Sequence, residues 1–216
     1  MIEKGAATHI ILDQNLVLSP EKALYWVQEK ALIISDVHLG KASHFRKSGI
    51  AVPGQVHLGD LQRIDHLIKV YNPKIVLFLG DLFHSEHNAD WYKFNSWLQD
   101  YSYIRFILVK GNHDILPEFH YKDSPLDLVD YWAKGPFLFT HDEQVSELYN
   151  ISGHVHPAVR LSGRARQSVQ LPCFHFTAKN ALLPAFGLFT GFVKVKVQKG
   201  DEVFGLTKNE VLHLTA

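Results

Sequence analysis

The sequence has a single cysteine, no long uninterrupted apolar run and no net charge. Cys173 alone excludes an intramolecular disulfide and a cysteine-based zinc cluster, which favours a reducing compartment. The longest apolar stretch, residues 181–189, is interrupted by Pro184 and Gly187, and the first residues lack the basic and apolar regions of a signal peptide. We therefore expect a cytoplasmic protein that is neither exported nor membrane-spanning.

Charge is balanced over the chain but not along it. The 22 Lys+Arg and 22 Asp+Glu residues give a formal net charge of zero, which argues against holding nucleic acid by bulk electrostatics alone. Residues 157–216 nevertheless carry eight Lys/Arg against three Asp/Glu, so the C-terminal part is basic. The 46% of apolar residues is ordinary for a globular protein and no repeat or linker appears, so we expect one domain over residues 1–216.

Short apolar runs alternate with amphipathic segments in the first half of the chain. The β-branched runs at 31–34, 74–79 and 103–109 predict strands buried on both faces, whereas 55–70 and 89–100 have the apolar spacing of helices. Later segments predict further strands with few helices between them: 137–140, 149–152, 192–197 and 202–204. We expect two packed sheets with helices on the outside, an α/β sandwich.

Polar motifs follow the predicted strands, and each contains Asp, His or Asn. They are Ser35-Asp36-Val37-His38, Gly80-Asp81-Leu82-Phe83-His84, Gly111-Asn112-His113-Asp114, Thr140-His141 and Gly153-His154-Val155-His156. Ligands of open α/β sheets bind outside the carboxyl ends of the strands, so these five loops are expected to converge. The two-residue spacing from Asp36 to His38, repeated from His154 to His156, lets both side chains of each pair turn to one point.

This donor set predicts a catalytic metal site. Imidazole, carboxylate and amide donors without thiolate suit Mn, Fe or Zn that retains water, and disfavour a structural zinc. Seven ligands from these motifs are too many for one ion that keeps an open coordination position, but they divide well between two ions about 3.5–4 Å apart. With two Asp carboxylates and one bridging hydroxide, such a cluster keeps a charge of about +1. It should attract an anion, for which a phosphoryl group is the obvious candidate.

The motifs, taken in order, resemble the calcineurin-like metallophosphoesterases, whose pattern is D-x-H, G-D, G-N-H-[DE], H and G-H-x-H. Segments 35–42, 45–53, 80–85 and 183–187 look like the bacterial DNA ligase-associated (PdeM-like) branch, and this resemblance covers nearly the whole chain. It implies a four-layer α/β/β/α sandwich. It also implies an enzyme that hydrolyses phosphodiester bonds by attack of a metal-bridging hydroxide.

The resemblance implies a role for each motif residue. Three residues would hold the first ion, three the second, and one would bridge them: Asp36, His38 and His156; Asn112, His141 and His154; and Asp81. His113 would steady the phosphate oxygens or protonate the leaving alkoxide. Where many superfamily members have an Asp that orients this histidine, the chain has His84, so the usual His-Asp dyad is absent.

The resemblance further implies two divalent ions, with Mn2+ expected first and Fe or Zn as alternatives, and a nuclease acting in DNA repair beside a DNA ligase and a helicase. Candidate substrate contacts are Arg46, His84, Arg160, Arg164 and Arg166. A solvated face is the more usual explanation for a cation such as Arg46, His84 either lines the mouth of the site or faces solvent, and an ordinary exposed hairpin explains the other three arginines equally well.

Two other functions stay open at this point. A phosphatase or phosphodiesterase for small molecules or cyclic nucleotides would need a closed pocket in place of an open basic groove. A non-catalytic scaffold is argued against by the complete ligand set.

Overall fold

The computed structural model describes residues 3–41, 56–83, 89–163, 167–188 and 190–214. Within these ranges the chain forms three α-helices: α1 (Val56–Tyr71), α2 (Ala89–Gln99) and α3 (Glu118–Lys122). It also forms sixteen strands: β1 (Ala7–Ile11), β2 (Gln14–Leu18), β3 (Leu24–Trp26), β4 (Ala31–Ile34), β5 (Ile75–Leu79), β6 (Arg105–Val109), β7 (Leu126–Val129), β8 (Trp132–Lys134), β9 (Phe137–Thr140), β10 (Tyr149–Ser152), β11 (Pro157–Ser162), β12 (Ser168–Phe176), β13 (Asn180–Leu182), β14 (Val193–Lys194), β15 (Glu202–Leu206) and β16 (Val211–Leu214). None of these helices is both long and apolar enough to cross a bilayer.

Strands β1 to β7 form the first sheet, in which neighbours along the chain are also neighbours in space. Antiparallel pairs join β1 through β4, and parallel pairs join β4 through β7. The parallel part follows from the alternation of strands and helices, since parallel neighbours need a crossover between them and α1 and α2 lie in two of these crossovers. The strands predicted at 31–34, 74–79 and 103–109, and both predicted helices, are confirmed with small shifts at their ends.

Strands β8 to β16 form the second sheet, in the order β14-β11-β12-β13-β10-β9-β8, with β15 paired to β12 and β16 to β15. Strand β10 runs parallel to both β9 and β13. The strands predicted at 137–140, 149–152 and 202–204 are confirmed. The strand predicted at 192–197 was too long, because only Val193 and Lys194 form a ladder with β11 at the edge of the sheet.

The first sheet is covered by apolar residues on both faces. On one face it packs against the second sheet, where Trp26 of β3 meets Phe137 of β9 edge-on with ring centroids 5.0 Å apart. On the other face it packs against α1 and α2, where Trp91 and Phe94 of α2 are buried and Trp97 packs against the same cluster. This double burial explains why β4, β5 and β6 read as continuous apolar runs.

Three of the four predicted layers occur in the described ranges: the helices, the first sheet and the second sheet. The outer face of the second sheet buries a smaller cluster that includes Cys173 and Val203. The described residues packed on that cluster, such as Val159 and Val197, belong to strands and loops and not to a helix. The expected α/β/β/α sandwich is therefore supported as far as the second sheet.

The core between the sheets should contribute strongly to stability. Phe137 is fully buried there, so Phe137→Ala is expected to lower the free energy of unfolding by about 3–5 kcal/mol through lost burial and a residual cavity. Urea denaturation of the chelator-treated protein measures this difference. Val169→Ala, at an exposed position of β12, should cost roughly 1 kcal/mol or less, and equal losses in the two variants would contradict the assignment of this core.

Candidate metal centre

The loops that follow β4, β5, β9 and β10 meet at one edge of the two sheets. The parallel pairing of β4 with β5 continues into their loops, where the N–H of Asp36 donates to Gly80 O (3.3 Å) and the N–H of His38 donates to Asp81 O (2.9 Å). On the second sheet, the N–H of Gly153 donates to His141 O (3.0 Å). The convergence predicted from the carboxyl ends of the strands is thus observed.

Six of the predicted ligands form two groups at this edge. In each group, one potential ligand atom per residue lies within 4.8 Å of the others: Asp36, His38 and His156 in the first, and Asp81, His141 and His154 in the second. The groups adjoin, since Nε2 of His38 lies 3.8 Å from Oδ2 of Asp81.

Asp36 is a fully buried carboxylate that is held in its ionised form. It accepts hydrogen bonds from the Ser35 hydroxyl and from the backbone N–H of His154 (3.0 Å), and its Oδ1 lies 3.3 Å from Nε2 of His156. Burial acts to raise the pKa of Asp36, but the hydrogen bond and charge of His156, with the Ser35 hydroxyl, hold that pKa below its usual value. The side chain is therefore available as an anionic ligand.

Asp81 directs its two oxygens toward different groups. Oδ1 lies 3.5 Å from Nε2 of His141 and accepts the backbone N–H of His113 (2.9 Å), whereas Oδ2 is the atom close to His38. This carboxylate is also almost completely buried. It has the position needed to contact both groups at once.

The orientation of His141 exposes a nitrogen lone pair to the centre. Its Nδ1 lies 3.0 Å from the carbonyl of Leu79, which can only accept, so Nδ1 carries the proton and Nε2 carries the lone pair. That Nε2 faces Nδ1 of His154 at 3.0 Å as well as Oδ1 of Asp81. A convergence of lone pairs and a carboxylate is the donor chemistry that a divalent cation requires, and the residues present therefore fit a metal ion.

The centre has an unusual backbone. Five of the six grouped residues adopt left-handed conformations, with φ between 49° and 61°: Asp36, His38, Asp81, His154 and His156. Non-glycine residues seldom do so, and each costs on the order of 1–3 kcal/mol. Such strain persists only where the surroundings enforce it, and it concentrates at functional sites.

Two motif glycines make room for the centre. A Cβ on Gly153 would collide with the Ser35 hydroxyl and lie 2.6 Å from Oδ2 of Asp36. Gly80 has a φ of 76°, and a Cβ there would strike the ring of His141. The glycines of the G-D and G-H-x-H motifs therefore allow the loops to approach closely.

A later segment, which we call the strap (residues 183–188 and 190–195), ties these loops together. Its N–H groups donate to carbonyl oxygens in the loops at 2.8–3.1 Å: Leu183 to Ser152, Phe186 to Ser35, Gly187 to Asp36 and Val193 to His156. From the other side, Arg63 of α1 donates to Phe186 O (2.9 Å), lies 3.9 Å over the Phe186 ring and pairs with Glu21 (2.6 Å). Sequence analysis missed Arg63, since its partner is 123 residues away in the chain.

Asp114 is a second positioning residue that was not assigned a role, although it is the last letter of the G-N-H-[DE] motif. It is fully buried, and its carboxylate accepts the N–H groups of Leu82 (3.0 Å), Phe83 (3.2 Å) and Gly111 (2.9 Å). Burial raises its pKa to about 6. Asp114 thereby fixes the loop after β5 to the loop after β6.

The structure describes only some of the other residues that were predicted to be functional. Asn112 and His113 are exposed on the loop after β6, and the His113 ring lies 5.4 Å from that of His38. Arg160 is exposed on β11 and donates to the Ser168 hydroxyl (2.8 Å). The other substrate contacts proposed from sequence lie outside the described residues: Arg46, His84, Arg164 and Arg166. The role of His84 opposite His113 accordingly stays a prediction.

The two His/Asp groups and the fold that carries them are those of a metal-dependent phosphoesterase. Residues 30–177 match the family described as calcineurin-like phosphoesterase, and the chain belongs to that family.

Solved structures that are similar to the chain include those of two bacterial proteins. The crystal structure of Pseudomonas putida nuclease MPE has 28% sequence identity and a TM-score of 0.80, covering 97% of this chain and 100% of that one. The E. coli phosphoesterase Yfce has 12% identity and a TM-score of 0.44, covering 86% of this chain and 98% of that one. No curated protein matches.

The close approach at Gly153 generates a testable prediction. Gly153→Ala should weaken metal binding, because the added Cβ must displace Ser35 and Asp36 from their present positions. Gly191→Ala is the matched control, since a Cβ there would have no atom within 4 Å. Metal content after dialysis, measured by mass spectrometry, compares the two variants, and an unchanged content in Gly153→Ala would contradict the tight packing described here.

Proposed function

We propose that the protein is a two-metal phosphodiesterase that acts on nucleic acid. The observation that carries the proposal is the carboxylate of Asp81, whose two oxygens address the two His/Asp groups separately. Two ions that share one carboxylate are the usual arrangement for hydrolysing phosphate esters.

The ligand assignment is part of this proposal and follows the two groups. Asp36, His38 and His156 would hold the first ion, and His141 and His154, with the amide of Asn112, would hold the second. Asp81 would bridge them. When bound, the ions activate water and offset the negative charge on the phosphoryl group. The carboxylates of Asp36 and Asp81 in turn reduce the repulsion between two cations held this close.

His113 is proposed as the catalytic histidine. Its backbone N–H is held by Oδ1 of Asp81, and its side chain is exposed at the edge of the centre near His38. An imidazole in that position would donate a proton to the leaving alkoxide or a hydrogen bond to a phosphate oxygen.

A nucleic-acid substrate is supported by two observations. The full-length similarity to a protein named a nuclease covers the strap and the β11–β12 region as well as the ligand loops. Asn112 and His113 are exposed rather than enclosed, which suits a polymer better than a small molecule held in a closed pocket. The closed-pocket alternative therefore has less support, and the complete ligand groups argue against a non-catalytic scaffold.

The remaining parts of the proposal rest on the sequence resemblance. We infer a single-domain member of the DNA ligase-associated branch that uses Mn2+ in the cytoplasm and acts in DNA repair beside a ligase and a helicase.

The experiment that tests the function compares substrates on chelator-treated protein reloaded with Mn2+, Fe2+ or Zn2+. Labelled DNA and RNA, bis(p-nitrophenyl) phosphate and p-nitrophenyl phosphate separate polymer, small diester and monoester activity. Cleavage of an internal phosphodiester bond in an oligonucleotide is the expected result. Hydrolysis of the small esters without any cleavage of nucleic acid would favour the small-molecule alternative.

Asp81→Asn is expected to remove both ions, because it neutralises the one carboxylate that the two ions would share. Elemental analysis should find two ions per chain in the original protein and neither in the variant. Asp127→Asn, an exposed position of β7, is the matched control and should keep two. Two tightly held ions in Asp81→Asn would rule out the bridge.

His113→Ala is expected to retain the metals and to lower turnover of an alkyl diester by roughly 10²–10⁴-fold, the usual contribution of a general acid. A nitrophenyl diester should lose less, because its leaving group needs little protonation. His66→Ala, at an exposed site on α1, controls for the loss of an imidazole. Equal losses on alkyl and nitrophenyl diesters would replace proton donation by oxyanion stabilisation.

A further inference from the structure

The hairpin formed by β11 and β12 projects past the metal centre. His175 of β12 pairs with Leu182, and Leu182 pairs with Ser152 at the end of β10, so these residues lie level with the edge that carries the metal loops. Strand β12 begins seven residues before His175, at Ser168, which at about 3.3 Å per residue places its start roughly 23 Å beyond that edge. Strand β11 leaves the centre directly after His156 and runs along this extension.

Pairing fixes which side chains share a face of this projection. Arg160 pairs with Gln170, and Ala158 pairs with Pro172. Gln170 and Pro172 lie an even number of positions from Phe174 on β12, so both pairs are on the same face of the sheet as Phe174, which is buried between the two sheets. Lys194 of β14 pairs with Ala158 and therefore lies on the same face. Where the projection extends past the edge of the first sheet, this face is on the same side as the loops that carry Asp36 and Asp81.

The backbone of Lys194 also lies close to the centre in space. The N–H of Val193 donates to the carbonyl of His156 (3.0 Å), so the strap delivers Lys194 next to a proposed ligand. Arg160 follows two residues beyond Ala158 on the neighbouring strand, and its hydrogen bond to Ser168 holds its guanidinium along the same face. Lys194 and Arg160 therefore lie one after the other along a line that leads away from the metal centre.

The charge of this region is of one sign. Residues 157–200 contain no Asp or Glu but include seven cations: Arg160, Arg164, Arg166, Lys179, Lys194, Lys196 and Lys199. Arg160 and Lys194 are both exposed, and neither forms an ion pair with any residue in the described part of the chain. Exposed cations that no carboxylate neutralises remain available to phosphate groups.

We propose that this face of the projection, defined by Lys194 and Arg160 and called the backbone track, binds the phosphodiester backbone of the substrate on one side of the scissile bond. The inference rests on the proposed action on nucleic acid and adds the surface that holds the polymer. Lys194, which sequence analysis did not single out, contacts the phosphate nearer the metals, and Arg160 contacts one farther along the strand.

The test removes both charges while keeping side chains of polar character, in the double variant Arg160→Gln/Lys194→Gln. Its matched control is Lys179→Gln/Lys199→Gln, which changes the net charge equally within the same carboxylate-free segment. Lys179 and Lys199 are exposed in turns next to Phe176 and Glu202, at the end of the second sheet away from the metal loops. Thermal unfolding checks that both variants fold.

The readout is kcat/KM for a labelled oligonucleotide divided by kcat/KM for bis(p-nitrophenyl) phosphate, followed over roughly 50–200 mM KCl. In the track variant this ratio should fall about tenfold or more at low salt, and the slope of log kcat/KM for the oligonucleotide against log salt should become shallower by about one for each lost contact. The control variant should match the original protein in both measurements.

A track variant that behaves like its control would overturn the proposal while leaving nucleic-acid cleavage intact. Equal losses on the oligonucleotide and the small diester would also overturn it, since the strand would then support the metal centre and not the polymer. If the unmodified protein hydrolysed the small diester but no nucleic acid, the proposed function itself would be wrong. The proposed backbone track would then be wrong as well.

Discussion

The burial of two carboxylates at the edge of the sheets is the constraint on which the rest of the centre depends. Asp36 and Asp81 are almost fully excluded from solvent, and an uncompensated ion in such a place costs several kcal/mol. The Ser35 hydroxyl and the N–H groups of His113 and His154 reduce this cost without cations. They do not neutralise the charge, which is the physical reason for assigning cations to this place.

The strained backbone follows from the same constraint. In a fully extended strand Asp36 and His38 would lie on one face but roughly 6.6 Å apart along the chain, so their ligand atoms converge on one ion more readily where the chain changes direction between them. Left-handed residues supply that change, and a dense network must hold them because their conformation is unfavourable. The strap and Asp114 form part of that network, which explains why residues far from the motifs in sequence belong to the centre.

Much of this arrangement was predictable because it is encoded locally. Strands β4, β5 and β6 are short continuous apolar runs, and each of the loops after them carries a compact motif, so sequence alone indicated which loops lie at this edge. The contact from Arg63 to Phe186 and the length of the β11–β12 projection were not predictable. The first joins distant positions. The second depends on where β12 stops pairing with β13 and β15, because the alternation of apolar and polar residues in β11 and β12 indicates strands but not where they leave the sheet. The strand predicted at 192–197 failed for a related reason, since its alternating Val and Lys residues signal a strand although only two of them form a ladder.

The neutral net charge of the chain is compatible with binding a polyanion because charge acts over short distances. At physiological ionic strength an exposed charge is screened beyond about 8 Å, so a phosphate beside Lys194 experiences the nearby cations and not the carboxylates elsewhere on the molecule. The sequence separates these charges along its length, leaving residues 157–200 without a single carboxylate. The acidic groups that balance them include Asp36 and Asp81, which lie buried in the centre. Cations bound at the centre would give it the same positive sign as the adjoining face, which would favour the phosphodiester backbone that we propose as the substrate.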